Sequence, residues 1–334
     1  MNEQTGRSPI DAQAAIKLLF PDLSLLARLD QMSVAAGSRV KGTLAGKRRS
    51  SSLGGSQEFA DYRPYAPGDD IRRLDWNVYG RTGRAYMRQY WDEQELTVHM
   101  LVDVSRSMSY GEESEHNKLR FALRLAACIG YASLTGEDRV TARLFGDNGL
   151  NRELEPLRGR SSLPQLFQFF GKAMPGSQAA AQPAGTGSDF TAQRPAVLSL
   201  DEALGGLRGR PMRAGVTFLI TDAMYETGIE EAILRLIAAG QKVVFVHVLS
   251  PEELNPALSG ELKLIDSELG SGKDVAIAYP LLAQYKQAVD QYREDLSRLC
   301  GERGVQYMFI SSADSLTEVI NRELLQHGVL RSKT

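Results

Sequence analysis

Cysteine is almost missing from this chain: Cys128 and Cys300 are its two cysteines in 334 residues. They stand far apart, in apolar helix-patterned surroundings, and in no Cys-x-x-Cys or metal-ligand spacing. A disulfide framework and a zinc ribbon are therefore excluded, and two free buried thiols in a reducing compartment are expected. Histidine is nearly as scarce. His99, His116, His247 and His327 are scattered, and His99 and His247 fall inside strand-like runs, where a hydrogen-bonded core histidine is the ordinary reading. Net charge is also lacking. Lys and Arg number 39 against 41 Asp and Glu, a balance of −2, so no global field favours nucleic acid or an anionic membrane. No apolar run reaches the ~18–20 residues of a membrane span. The N-terminal stretch carries Asp11 and no long apolar core, so it does not read as a signal peptide, and a cytoplasmic location is expected. There is no Gly-x-x-x-x-Gly-Lys-Ser/Thr phosphate loop and no Gly-x-Ser-x-Gly elbow. P-loop nucleotide hydrolysis and serine-hydrolase chemistry thus have no foothold.

What is present fits an ordinary globular protein: 43% hydrophobic and 24% charged residues. The length suits two domains, or one large α/β domain with an extension. From Leu96 onward, strand-like and helix-like segments alternate. Strands are expected at Leu96–Val104, Asp138–Phe145, Asn151–Leu157, Gly215–Ile220, Lys242–Leu249 and Val305–Ile310. Helices are expected at Asn117–Thr135, Ser162–Phe170, Ser199–Leu207, Ile229–Ala239, Leu281–Arg303 and Leu316–Leu325. Ser199 and Glu202 have capping-box spacing, and Leu262–Asp266 with Asp274–Ala278 reads as a hairpin. The alternation predicts an α/β fold, a mainly parallel sheet with helices on both faces. Gly176–Arg194, rich in Gly, Ala and Ser, reads as a long surface loop.

Residues 98–107, Val-His-Met-Leu-Val-Asp-Val-Ser-Arg-Ser, carry the main chemical signal. An apolar strand ends in Asp103, Ser105 and Ser107. A loop turning there can aim one carboxylate and two hydroxyls at one point. Hard oxygen ligands of low charge suit Mg²⁺, with Mn²⁺ or Ca²⁺ as alternative ions. Asp222 follows a second apolar strand, and in a parallel sheet both acids fall at strand carboxyl ends, where ligands bind. The same residue types are also ordinary turn and helix N-cap residues. The Asp-x-Ser-x-Ser array resembles the metal-ion-dependent adhesion site (MIDAS) of von Willebrand factor A-like domains. That resemblance implies further ligation by a distant Thr, a distant Asp and a carboxylate of a partner protein.

A second resemblance is more specific. Asp61-Tyr-Arg-Pro-Tyr-Ala-Pro-Gly-Asp-Asp-Ile-Arg-Arg-Leu-Asp-Trp76, followed by Arg81-Thr-Gly-Arg84, resembles the signature of the bacterial "domain of unknown function 58" family. Val102–Met108, Gly136–Val140 and Val248–Leu254 are similar to later blocks of that family. The resemblance runs from about Leu53 to the C-terminus. It implies a von Willebrand factor A-like, Rossmann-type sheet at 96–330, preceded by an N-terminal extension at 1–95 packed on it. It also implies a protein partner, a MoxR-type AAA+ ATPase and its client, and the role of adaptor or co-chaperone. The metal ligands it implies are Asp103, Ser105, Ser107 and Asp222. The family's Thr is replaced near Pro195–Leu204; Ser199 can supply the hydroxyl, and Thr186 and Thr191 are alternatives.

A non-catalytic, metal-dependent interaction module is therefore expected. A metal-dependent hydrolase or phosphatase using Asp103, and a scaffold with a vestigial metal site, are the alternatives. Residues 1–95 divide further. Ile10–Met32 has helical apolar spacing broken by Pro21, and a basic run spans 39–49. Arginines 63, 72, 73, 81, 84 and 88 interleave with Tyr62, Tyr65, Trp76, Tyr79 and Tyr86, a pattern that suits single-stranded nucleic acid. Asp61, Asp69, Asp70 and Asp75 sit between them, so an internally ion-paired cap with Trp76 and Tyr65 buried is expected in preference to nucleic-acid binding.

Overall fold

The computed structural model describes residues 12–35, 49–53, 59–93, 96–109, 114–146, 151–175, 199–205, 212–256, 260–265, 272–277 and 279–333. Two compact units emerge, Met1–Gly37 with Leu96–Ser332, and Ser38–Glu95 with Lys333–Thr334. A break falls at 95/96, as expected, but residues 1–95 are not one piece, because the stretch up to Gly37 belongs to the larger unit.

Six strands form the central sheet of that unit: β1 (Thr97–Asp103), β2 (Arg139–Phe145), β3 (Asn151–Arg158), β4 (Gly215–Thr221), β5 (Gln241–Leu249) and β6 (Gln306–Ser311). Their spatial order is β6-β5-β4-β1-β2-β3, parallel except for β3, which runs antiparallel to β2. This is the expected α/β sheet, mostly parallel, in the arrangement that the resemblance to von Willebrand factor A-like domains implies. Side chains alternate between two cores. Val98, Met100 and Val102 of β1, with Val216, Phe218 and Ile220 of β4, face one. Leu101, Leu219 and Phe245 face the other. Both faces are covered, which is why these strands read as nearly unbroken apolar runs.

The helices of this unit are α1 (Ala12–Leu19), α2 (Ser24–Leu29), α3 (Lys118–Thr135), α4 (Leu163–Gly171), α5 (Ile229–Ala238) and α6 (Tyr279–Glu302), with several single turns between them. Asn117 starts α3, its side-chain oxygen accepting from the Arg120 N–H at 2.9 Å. α3 is buried on nearly all sides because it lies between the sheet and α1, α2 and α4. Packing there is close: a Cβ on Gly130 would come within 2.7 Å of Leu166 Cδ2. Phe20 meets Phe167 edge-on at 5.2 Å, and the Tyr131 hydroxyl donates to Asp30 at 2.9 Å. Met32–Val34 then pairs antiparallel with Leu330–Ser332, tying residues 12–35 to the far end of the unit. α5 and α6 contribute Ile233, Leu236, Leu296 and Cys300 to the opposite core. Cys128 and Cys300 are buried free thiols, both pushed up to about 12 by burial.

The expected hairpin is an antiparallel pair, Gly260–Ile265 with Gly272–Ile277. The helix expected at Ser199–Leu207 is a single turn, Leu200–Ala203, in the described residues. The Gly176–Arg194 loop, with Thr186 and Thr191, lies outside the described residues, as does the basic run before Arg49.

In the smaller unit, Tyr86–Glu93 is the middle strand of an antiparallel sheet, flanked by Arg49–Leu53 and Phe59–Pro64. Asp75 caps the helix Trp76–Thr82 by accepting from the Asn77 and Val78 N–H groups. It also accepts from Tyr62 at 2.7 Å and Arg88 at 2.8 Å, and these bonds hold its carboxyl far below the usual carboxylate range. Arg63 grips Asp69 with two bonds of 2.6 and 2.7 Å. The expected burial of Trp76 and Tyr65 is not found: they are 60% and 37% exposed. Leu74 and Met87 are the buried apolar side chains among this unit's described residues, too few to enclose its aromatics.

Candidate metal centre

The sheet order reverses between β1 and β4: β1 continues to β2 on one side, β4 to β5 on the other. Crevices at such a reversal, beyond the strand carboxyl ends, are where open α/β sheets bind ligands. Asp103 is the last residue of β1 and Asp222 directly follows β4, so the fold delivers both to this point.

Asp103 is fully buried. Its Oδ1 accepts from the Ser105 N–H at 2.9 Å and from the Tyr225 hydroxyl at 3.3 Å. Its Oδ2 accepts from the Thr221 hydroxyl at 2.6 Å. All of these donors are neutral. Burial, and secondly the charge of Asp222, push the Asp103 carboxyl up to about 7. The loop after β1 is held tightly, the Val104 N–H donating to the Phe145 carbonyl at 2.7 Å. Gly146 lets this loop approach, since a Cβ there would stand 3.1 Å from Ser105 N. The Ser105 and Ser107 hydroxyl oxygens lie 3.0 Å apart. Adjacent oxygens of an octahedral Mg²⁺ shell, with bonds of 2.0–2.1 Å, stand about 2.9 Å apart. The Ser105–Ser107 oxygen pair thus has the spacing of two neighbouring ligands of a small hard cation, with Asp103 bonded to Ser105 beside it.

Asp222 is also fully buried, but it is committed elsewhere. Its Oδ2 accepts from Lys118 Nζ at 2.7 Å and its Oδ1 from the Met224 N–H at 3.2 Å. Lys118 is 1% exposed and reaches Glu253 Oε1 at 2.5 Å as well. Burial alone would lower the ammonium pKa; Asp222 and Glu253 outweigh it and raise it. Asp222, which the resemblance implies as a ligand, thus already has a cation. Ala223, next in the chain, has φ +56°. An alanine held there costs on the order of 1 kcal/mol. It is pinned by its N–H to Thr221 Oγ1 at 2.9 Å and by Tyr292 O–H to its carbonyl at 2.5 Å.

Ser199 is not drawn into this cluster by any hydrogen bond. Its hydroxyl makes no capping bond and lies against Gly228, where a Cβ would stand 2.1 Å from Ser199 Oγ. Among the described residues, no group of three or more His, Cys, Asp or Glu side chains is arranged to hold a metal. An oxygen site with hydroxyl ligands depends on fewer carboxylates than that. His247 is a core residue: its Nε2–H donates to the Asp222 carbonyl at 3.1 Å and its Nδ1 accepts from Tyr307 at 2.8 Å. Burial pushes it down to about 4, so it is neutral at ordinary pH. His99 is likewise bonded on both nitrogens, to Thr141 and the Arg213 carbonyl.

Three participants escape a sequence reading: Thr221, Tyr225 and Lys118. Thr221 was legible in principle, as a hydroxyl residue at the end of a buried strand directly before an Asp. Lys118 left a weaker trace, a cation at the first position of a helix, where the macrodipole disfavours it.

The family model described as "Protein of unknown function DUF58" matches residues 61–295. The uncharacterized protein Rv1480 of Mycobacterium tuberculosis (strain ATCC 25618 / H37Rv) is 27% identical over 299 residues, 89% of this chain and 88% of that one. An aerotolerance-related membrane protein from Bacteroides fragilis NCTC 9343 is similar at 14% identity. It covers 69% of this chain and 98% of that one, with a TM-score of 0.37. Proximal thread matrix protein 1 of the mussel byssus, described with a zinc-occupied MIDAS motif, is 13% identical. It covers 70% of this chain and 47% of that one, with a TM-score of 0.32. The expected cytoplasmic location is corrected: the Bacteroides fragilis neighbour is described as a membrane protein. Among the described residues, no helix is long and apolar enough to cross a membrane.

Proposed function

The chain belongs to the DUF58 family, and from that premise we propose that it is a non-catalytic, metal-dependent protein–protein interaction module. In this reading it is an adaptor or co-chaperone that engages a MoxR-type AAA+ ATPase and the ATPase's client. The observation that carries the reading is the state of Asp103: a buried carboxylate at the sheet's reversal point, bonded only to neutral donors, beside two hydroxyls 3.0 Å apart. Asp103, Ser105 and Ser107 would hold the ion, Mg²⁺ before Mn²⁺ or Ca²⁺. A bound divalent ion would supply a Lewis-acidic position for an outside oxygen. With Asp222 turned to Lys118, Asp103 is the one carboxylate of the pair free of a cation. A carboxylate of the partner protein complements such a site, and charge-assisted contacts of this kind give specificity.

Catalysis is disfavoured by what surrounds the site. His247 and His99 have both ring nitrogens engaged and are held neutral by burial. The Ser105 and Ser107 hydroxyls lie 3.0 Å apart and bond to each other, and the Ser105 side chain also bonds to Asp103. No described histidine is thus poised as a general base beside a nucleophile. The resident Lys118 cation favours a second reading, a scaffold whose metal site is vestigial.

The test is binding of the purified ATPase, in Mg²⁺ and in EDTA, to wild type and Asp103→Ala. Loss of binding in EDTA and in the variant is expected. Binding indifferent to both defeats the metal-bridged reading and leaves the scaffold.

A further inference from the structure

We infer that Lys118 is the specificity-determining residue of this centre: it withholds Asp222 from the ion, so that retention of the ion depends on a carboxylate from outside the chain. The inference rests on the metal-dependent reading and deepens it.

The position of Lys118 is costly. It opens α3, where a cation opposes the helix dipole, and it is 1% exposed. Only its contacts compensate. Nζ reaches Asp222 Oδ2 at 2.7 Å and Glu253 Oε1 at 2.5 Å, joining segments 104 and 135 residues away in sequence. Glu253 cannot easily turn aside. Its Oε2 accepts from the Ser250 N–H at 2.8 Å, and the Ser250 hydroxyl accepts from the Glu253 N–H at 3.3 Å. This reciprocal cap fixes the turn Pro251–Leu254 directly after β5. Lys118 is thus clamped between two oriented carboxylates, and its charge is a built-in part of the centre.

The consequence for a divalent ion follows from charge. A metal drawn to Asp103 meets an Asp222 carboxylate already paired with an ammonium. Direct coordination by Asp222 would require breaking that buried pair and leaving Lys118 to Glu253 alone. The ion therefore holds fewer anionic ligands from this chain than the two acids would otherwise provide. A weakly held ion suits a reversible, partner-completed contact better than a permanent structural one.

Lys118→Met tests this, because it frees Asp222 at similar side-chain length. Mn²⁺ alone is the probe, with free ion followed by electron paramagnetic resonance and folding by circular dichroism. Lys118→Met is expected to bind Mn²⁺ at least tenfold tighter than wild type, and Lys118→Met with Asp103→Ala to lose that gain. Glu253→Gln is the second variant. It leaves Lys118 to Asp222 alone and is expected to weaken Mn²⁺ binding about threefold or more. A folded Lys118→Met that binds no tighter than wild type overturns the inference, as does a gain that survives loss of Asp103. Should Lys118→Met fail to fold, unchanged or tighter binding by Glu253→Gln overturns it. An Asp103-dependent gain in Lys118→Met, with wild type taking no ion even beside the ATPase, upholds the role of Lys118 while rejecting the metal-bridged function.

Discussion

Asp103 and Asp222 arrive at the same place by the same route, each at the end of a buried parallel strand, yet their surroundings make them different groups. Asp222 faces a lysine; Asp103 faces an amide and two hydroxyls. The sequence identifies both acids from position alone. It does not reveal their inequality, which depends on Lys118 and Glu253 arriving from distant segments. Ser199 shows the converse, a suitable residue type at a suitable spacing whose hydroxyl lies against Gly228. The state of Asp103 leads to a pH prediction for the metal-free protein. Its carboxyl lies at about 7 in the fold against an ordinary 3.8. Between those values the folded state keeps a proton that the unfolded chain has lost, so stability falls as pH rises through that window and levels off above it. The slope is about 1.4 kcal/mol per pH unit. Asp103→Asn removes this contribution. Urea unfolding in EDTA at pH 5 and pH 8 is expected to show wild type losing stability relative to Asp103→Asn as pH rises. Parallel pH dependence of the two proteins would show that Asp103 is not a strained, cation-seeking carboxylate.

At the scale of elements, the strands were the most legible part, because a doubly covered parallel strand must be apolar along its whole length. Val98–Val102 and Val243–Leu249 announce themselves in that way. The N-terminal segment was legible only in part. Helical spacing around Ile16 and Leu19 marks an apolar face, but not what that face meets. It meets α4, through Phe20 on Phe167 and Ala15 beside Gly171. The aromatic block misled in the other direction. Large aromatics are usually buried in a domain of ordinary size. Trp76 and Tyr79 instead touch each other edge-on at 6.1 Å and remain exposed, on a unit in which Leu74 and Met87 are the buried apolar side chains among the described residues. These contrasts give opposite expectations for two similar truncations. Phe20→Ala removes a ring that is 1% exposed and should cost about 3–5 kcal/mol. Trp76→Ala, at 60% exposure, should stay within about 1 kcal/mol. Guanidinium unfolding of both variants checks this; a Phe20→Ala protein as stable as wild type would mean that residues 12–35 are not part of the core.

At the scale of the whole molecule, the order of strands explains why a site exists where it does. A sheet that reverses between β1 and β4 leaves a crevice beyond their carboxyl ends, and the chain places Asp103 and Ser105 there, both buried. The alternation of strands and helices made this class of sheet legible before any coordinate. The break at 95/96 was legible, but the one at 37/38 was not, because residues 12–35 and 38–95 follow one another in sequence but belong to different compact bodies. The central claim is that the crevice holds a divalent cation on Asp103, Ser105 and Ser107. Crystals grown in Mn²⁺, measured at the manganese absorption edge, test it most directly. The account predicts one anomalous peak about 2.0–2.3 Å from an Asp103 carboxylate oxygen and from the Ser105 and Ser107 hydroxyls, with Asp222 still on Lys118. No peak at this crevice, or manganese bound by other side chains with Asp103 left in its neutral hydrogen bonds, would contradict it.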